Sequence, residues 1–574
     1  MKNKMKKMLS VTLAVIMAMS VMTVGASAWL FDDEEIFTSD EVTIDHIIYF
    51  TDSETMTAGV VDYERDEENL SLTAAEITIP ETIEVNGAKY TVDYIGHRAF
   101  ESSSTLRKIT IPETVDYISD YAFCSAEYLE TVIIPETTEF EYFGSYVFDS
   151  TPVLGYFAEN SEDGAVILGT NVLYAYVGTE SSYTVPEEIT IIADYCFFLS
   201  GVEEIILNDS ITEIPDFTFS SCRNLKEITI PESVEYIGAY AFSDCTSLEK
   251  VELGDSLCVI GEMAFEGTQV KELYLGDSLE YTSGAFAGCN TLEKFVISEN
   301  NGYYMDGDAL CYHYEFEDPI EADISEDTVL SFDSLEYYLI TSENTSYTVP
   351  EKITTINNYA FFNCKQIKEI KLTSPVDIFS WAFENSGIET VDFSMVLFIG
   401  YAAFRGCKNL KSLDLSEVYY IDDSAFEDCT ALTEVTFGNA LEGIGYRAFA
   451  DTGLRTVDVV GDYCWVYEGA FADCSELTRI DFNAGVEFID YYVASSCPKL
   501  ERVYISETVT TIEDDAFANN ENIVFEVIKY SDGCDFVEKM GYEYEIVGKL
   551  SFFTRVARFF TELFDKLFGW LMFM

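Results

Sequence analysis

Between Asn224 and Cys245 the chain reads NLKEITIPESVEYIGAYAFSDC, and TSLEKVELGDSLCVIGEMAFEG follows at once with the same apolar beats and different residues between them. With the Ala-Phe pair as a ruler, the beat or its substitute falls at Ala99, Ala122, Val147, Cys196, Thr218, Ala241, Ala264, Ala285, Ala360, Ala382, Ala403, Ala425, Ala448, Ala470, Val493 and Ala516. Most intervals are 21 to 25 residues, with two long gaps, 147 to 196 and 285 to 360. Self-similarity at this period predicts a solenoid, because one coil cannot bury its apolar face alone and stacking completes a shared core.

Within a unit, segments such as LKEITI and LTRIDF end in period-two alternation, which predicts a short strand with its apolar side chains inward. Proline often follows, as at Pro112 and Pro231, and ends pairing because it has no N–H to donate. A second extended run such as SVEYIG comes next, and AYAF predicts a tight or helical turn whose Phe plugs the coil. The fold class is therefore mostly β: a solenoid of short strands and helical turns, with hairpin insertions and a C-terminal amphipathic helix.

Residues between the beats support a parallel register. Four successive units carry Lys226-Glu227, Glu249-Lys250, Lys271-Glu272 and Glu293-Lys294, so stacked strands alternate in sign down each column. The two long gaps are related: SSYTVPEEIT (181–190) recurs as TSYTVPEKIT (345–354), each after a Tyr-rich alternating run. Both predict hairpins inserted between coils.

These readings divide the chain into residues 1–28, a signal peptide; 29–92, an N-terminal cap; 93–289, the first solenoid part, with an insertion near 153–187; and 290–349, a hairpin-bearing insertion. Residues 350–530 form the second solenoid part, 531–548 a C-terminal cap and 549–574 the amphipathic helix. The signal peptide rests on four lysines, an apolar run from Met8 to about Val24 and the small residues Ala26-Ser27-Ala28 ahead of Trp29. It places the mature protein outside the cell, secreted or on the cell surface.

Charge narrows the partners. Against 32 Lys plus Arg stand 103 Asp plus Glu, a net charge of -71, which repels phosphate backbones and excludes nucleic acid as a natural partner. Fourteen cysteines suggest disulfides in an exported chain, but eight of them (Cys222, Cys245, Cys289, Cys364, Cys407, Cys429, Cys474 and Cys497) occupy one slot, three residues after the second residue of the beat. Units with a loop one residue shorter lack that Cys, which makes it a packing element. Three scattered histidines, His46, His97 and His313, give no catalytic constellation or zinc site, so neither enzymatic activity nor a metal or other cofactor is expected.

Units such as LKEITIPESVEYIGAYAFSDC resemble the BspA-type leucine-rich repeats of bacterial surface proteins, with the likeness running from about Ile77 to Asn520. Departures are local, as where Val493-Ala494 replaces Ala-Phe. The resemblance implies an exported protein that acts in adhesion or ligand binding, engaging a protein or glycan partner, with no shared catalytic residues. A structural or scaffolding component without a dedicated ligand is the alternative, and a hydrolase the more remote one.

Two candidate surfaces follow. The central residue of each I-x-I strand includes Tyr274, Asp392, Asp414, Asp458, Asp481 and Tyr504. From Asp392 to Asp481 this predicts an acidic stripe, either a docking stripe for a basic partner, a cation site, or a solvated face. The second is the C-terminal segment, where Phe552, Phe553, Val556, Phe560, Leu563, Phe564, Leu567 and Trp570 fall on one helical side. Its charges suit a membrane surface better than a bilayer span, and a cap on the last coil or an oligomer contact are the competing readings.

Overall fold

The computed structural model describes residues 41–63, 75–159, 161, 164–299, 301–316 and 330–550. The signal-peptide segment and the C-terminal helix, with Phe552, Phe553, Val556, Phe560, Leu563, Phe564, Leu567 and Trp570, lie outside the described residues. The chain falls into two compact units, one of Met1–Asn290 with Phe295–Asn301, the other of Thr291–Lys294 with Gly302–Met574.

Both units are β-solenoids. In the first, each coil contributes two short strands that pair in parallel with their equivalents in the next coil. Glu227–Thr229 pairs with Lys250–Glu252, and Tyr236–Ile237 lies between Glu213–Ile214 and Val259–Ile260. The register sets Glu227 opposite Lys250, as the alternating charges predict. The ion pairs formed are different, however: Lys226 reaches back 2.6 Å to Glu203, and Lys250 turns to Glu252 on its own strand. At least half of each of these side chains is exposed, so such pairs are screened by solvent and contribute little. Register comes mainly from the core.

That core is a column of phenylalanines. In the first unit Phe197, Phe219, Phe242 and Phe265 stack with centroid separations of 5.2, 5.1 and 5.5 Å. In the second, Tyr338 heads a column running through Phe361, Phe383, Phe404, Phe426 and Phe449 to Phe471, at 4.8 to 5.5 Å with every ring pair within 23° of parallel. One coil per strand spacing brings identical residues to the separation of offset aromatic stacking, worth about 0.5–1.5 kcal/mol per pair beyond burial. At Val493-Ala494 the column ends, and Phe517 beyond it meets Phe525 and Phe482 edge-on instead.

The Ala-Phe corners are tight turns, not helical turns. The residue before Ala and the residue two after Phe both take positive φ, as at Tyr240 (56°) and Asp244 (58°), or Met263 (51°) and Gly267 (70°). The second site accepts Gly, Asn, Asp and Ser readily, and this is where the repeat places them. The first often holds an aromatic ring whose backbone cost is offset by stacking outside the coil: Tyr195, Phe217 and Tyr240 lie 4.8 and 4.9 Å apart, nearly parallel. Among the described residues the α-helices are Val153–Glu159 and Asp532–Met540.

The thiol slot has a defined task. Cys222, Cys245, Cys407 and Cys429 each point Sγ at the carbonyl of the Phe one coil earlier, at 3.0 to 3.2 Å, and Cys289, Cys474 and Cys497 do the same at 3.3 Å. All fourteen cysteines are free, and Cys258 alone is not buried. Burial pushes the Cys258 thiol up and Cys222 and Cys407 to about 12, so thiolate is scarce in the core. Native protein treated with an aromatic disulfide reagent is therefore expected to label about one thiol promptly, the remainder appearing only with denaturant. Prompt labelling of several would show that the slot is open.

The two gaps hold equivalent insertions. The hairpin Ala165–Leu168/Val172–Tyr176 ends in a strand parallel to Ile191–Ile192, and Ala309–Phe316/Leu330–Tyr338 ends in one parallel to Ile353–Ile356. In both, a tyrosine takes the place of a coil: Tyr176 N donates to Cys196 O at 2.7 Å, and Tyr338 N to Ala360 O at 2.8 Å. Residues 42–63 add antiparallel strands at the beginning of the first unit, and Tyr63 stacks on Phe100 at 5.6 Å. In the second unit Phe536 and Val537 of the helix Asp532–Met540 are buried against the last strands, with Ser531 capping its N-terminus and Gly541 its C-terminus.

Candidate binding surface

The acidic stripe is realised in part. Asp458 stands opposite Asp481, and Asp481 opposite Tyr504, on strands Thr456–Val459, Arg479–Phe482 and Arg502–Ile505. Asp414 faces Thr436. Asp392 falls after the strand Thr390–Val391, where its carboxylate accepts Ser394 N at 3.0 Å and caps a short 3-10 turn. That side-chain and backbone contact with Ser394 holds Asp392 below the usual carboxylate range. Asp414 likewise accepts Ser416 N at 3.2 Å.

Much of the remaining charge is internally paired. Arg479 lies 2.8 Å from Asp481 and 2.9 Å from Glu526, and Arg502 is 2.7 Å from Glu526. The Arg479 side chain first, with help from Arg502, draws the Glu526 carboxyl down to about 2. Asn483 donates to Asp458. Tyr274 belongs to the other unit, where its hydroxyl donates to Asp255 at 2.6 Å.

A larger feature lies in the first unit and was not anticipated from the strand centres. Three successive coils place an acid and a tyrosine side by side in the second strand: Asp93-Tyr94, Asp116-Tyr117 and Glu141-Tyr142. Their strands stack in register, Tyr94 opposite Tyr117 and Tyr117 opposite Tyr142, with ring centroids 5.2 and 4.6 Å apart. The pairs line a groove of about 1070 Å³ that extends past Tyr121 and Tyr146 to Asp194, Glu213, Asp216 and Tyr236. The sequence carries the signal as VDYIG, VDYIS and FEYFG, repeating immediately ahead of the first insertion.

The groove has a structural cause. In ordinary coils the backbone N–H before Ala donates to the next coil, as Tyr121 N does to Ser145 O at 2.9 Å. The first insertion supplies Tyr176 as the donor to Cys196 O and so separates the coil of Tyr146 from the coil of Asp194. Tyr146 N is then met by the Asp194 carboxylate, Oδ2 at 2.6 Å. Asp194 Oδ1 is buried and has no hydrogen-bond partner among the described residues.

Electrostatics in the groove are one-sided. Burial, reinforced by the nearby Asp216 and Asp120 charges and opposed by the Tyr146 N–H, pushes the Asp194 carboxyl up to about 7. Burial also raises Asp216, Glu213, Asp116 and Asp93, the last further lifted by Asp116. Tyr142 and Tyr146 donate their hydroxyls to Asp120 at 2.9 Å and Asp216 at 3.2 Å. Eight lining acidic side chains face two basic ones, His97 and Arg98, and the Arg98 guanidinium lies 5.2 Å above the Tyr121 ring. No cluster of three or more metal-ligating side chains occurs among the described residues.

Stacked two-strand coils closed by Ala-Phe turns define a leucine-rich-repeat solenoid. Residues 75–161, 170–307, 335–419 and 397–524 match the model of the BspA type leucine rich repeat region, in six copies, and the chain belongs to that family. Solved structures similar to it include a leucine-rich cell surface protein from Faecalibacterium prausnitzii A2-165, at 20% identity over 87% of this chain and 98% of that one, with a TM-score of 0.33. Another is the pneumococcal vaccine antigen PcpA, at 18% identity over 88% and 98% of the two chains, with a TM-score of 0.37. A third is a leucine-rich repeat protein from Bacteroides ovatus ATCC 8483, at 20% identity over 85% and 100%, with a TM-score of 0.27. No curated protein matches this chain. No helix among the described residues is long and apolar enough to cross a membrane.

Proposed function

We propose that this is an exported surface interaction protein that holds a protein or glycan partner, as an adhesin does, and that the groove of the first unit is its contact surface. One observation carries the reading: a three-coil ladder of paired carboxylates and tyrosines lines an open groove of about 1070 Å³ at a break in the solenoid. Like charges stacked at strand spacing oppose folding, and the packing of the groove supplies no counter-charge for them beyond His97 and Arg98. The Asp392–Asp481 stripe is the weaker candidate surface, since its carboxylates are largely engaged in caps and ion pairs.

Beads carrying the mature chain, tested against immobilised matrix proteins and glycans, provide the check. The variant Tyr117→Ala with Tyr142→Ala is expected to lose attachment by about tenfold or more, since aromatic residues dominate such contacts. Its melting, followed in parallel, separates lost contact from lost fold. Attachment equal in both proteins would put the contact outside the groove, and attachment absent from both would favour a scaffold without a dedicated ligand.

A further inference from the structure

We infer that the groove of the first unit takes an arginine-bearing segment of a protein partner, its guanidinium groups lying against the Tyr94–Tyr117–Tyr142 ladder and facing the adjoining carboxylates. This deepens the surface-interaction reading and rests on it. Three independent features point to a cation. The lining is acidic in sign, with eight acidic side chains against His97 and Arg98. Its aromatic rings recur at 5.2 and 4.6 Å, giving an extended π surface beside those carboxylates. Finally, Asp194 Oδ1 is buried without a partner, although the opposite oxygen is held by Tyr146 N.

An occupant has to answer the charge and the rings together. A neutral sugar would stack on the rings and leave the carboxylates uncompensated as it displaced their water. Arginine meets both demands, because its planar guanidinium stacks on an aromatic face while its N–H groups bond carboxylates in pairs. The protein already shows such a geometry at the groove, where Arg98 covers Tyr121. A lysine ammonium would satisfy the charge and use the ring surface less fully.

The experiment uses the mature full chain and a fluorescein-labelled Gly-Arg-Gly-Arg-Gly-Arg peptide, read by anisotropy at about 0.15 M salt, where diffuse attraction is screened beyond ~8 Å. A citrulline counterpart keeps the shape and removes the charge. The expected result is saturable one-to-one binding, weakened about tenfold or more by citrulline and by Asp116→Asn with Glu141→Gln. Asp414→Asn with Asp458→Asn removes the same number of charges from the other unit and is expected to change binding by less than about twofold.

Equal losses in the two variants would reduce the effect to overall acidity and overturn the inference. So would the absence of saturable binding, or groove-dependent binding of a neutral oligosaccharide in place of the peptide. If beads attach through Tyr117 and Tyr142 while the peptide fails to bind, the arginine inference falls and the surface-interaction reading stands. If neither binds, both fall.

Discussion

Phe426→Ala is expected to destabilise the second unit by about 3–5 kcal/mol, the range for truncating a fully buried aromatic. The ring is 0% exposed and stands between Phe404 at 5.3 Å and Phe449 at 5.2 Å, within 9° and 13° of parallel. Neighbouring coils cannot collapse into the space, because Phe426 N is tied to Ala448 O at 2.7 Å and Phe404 N to Ala425 O at 2.8 Å. Each coil of a solenoid is held by its neighbours, so removing one ring weakens two interfaces. Urea unfolding followed by far-UV circular dichroism reads the loss. Phe198→Ala, at a ring 44% exposed, serves as the control and is expected to cost no more than about 1 kcal/mol. A loss below about 1.5 kcal/mol at Phe426 would mean that the aromatic column is not the spine of the fold.

Much of this architecture is legible in the sequence because a repeat reports its own geometry. Once Phe recurs every 21 to 25 residues, stacking follows, and with it the parallel register that sets Glu227 opposite Lys250. The thiol slot is readable for the same reason, since Cys appears only in the longer loops. The likeness between residues 181–190 and 345–354 likewise identifies two equivalent insertions, which Tyr176 and Tyr338 realise in the same way.

The ion pairs were harder to read. Register determines which backbones are adjacent, but exposed side chains choose among several partners at similar energy, and Lys226 turned to the earlier coil. The groove was harder to read for another reason. Strand centres drew attention to Asp392 and Asp414, yet whether a carboxylate is free depends on the turn that follows it, and both are used as local caps. The groove arises where an insertion interrupts the ladder, so no single repeat contains it. The triple acid-tyrosine pair of VDYIG, VDYIS and FEYFG was its one visible trace.

The buried carboxyl at that interruption is expected to make the stability of the first unit depend on pH. Folded, Asp194 keeps its proton up to about 7, whereas its ordinary value is 3.8, so between these values the folded state binds more protons. Its contribution is fully present below about pH 3.8 and is lost as pH rises through 7, with no further change from this group above that. Three pH units correspond to on the order of 4 kcal/mol at most, at about 1.36 kcal/mol per unit. Asp216 and Asp120 act on Asp194 in the same sense, the Tyr142 and Tyr146 phenols, raised by burial, stay neutral, and Arg98 brings a positive charge to the groove lining.

Asp194→Asn removes the ionisation and keeps an oxygen for Tyr146 N. Its melting temperature is therefore expected to exceed that of the wild type by up to roughly 8–16 °C at pH 8, at about 2–4 °C per kcal/mol, and to approach it near pH 4. Calorimetric scans of both proteins across that range provide the measurement. A difference that stays constant with pH would show that the substitution acts through packing and that the Asp194 carboxyl titrates like an exposed one.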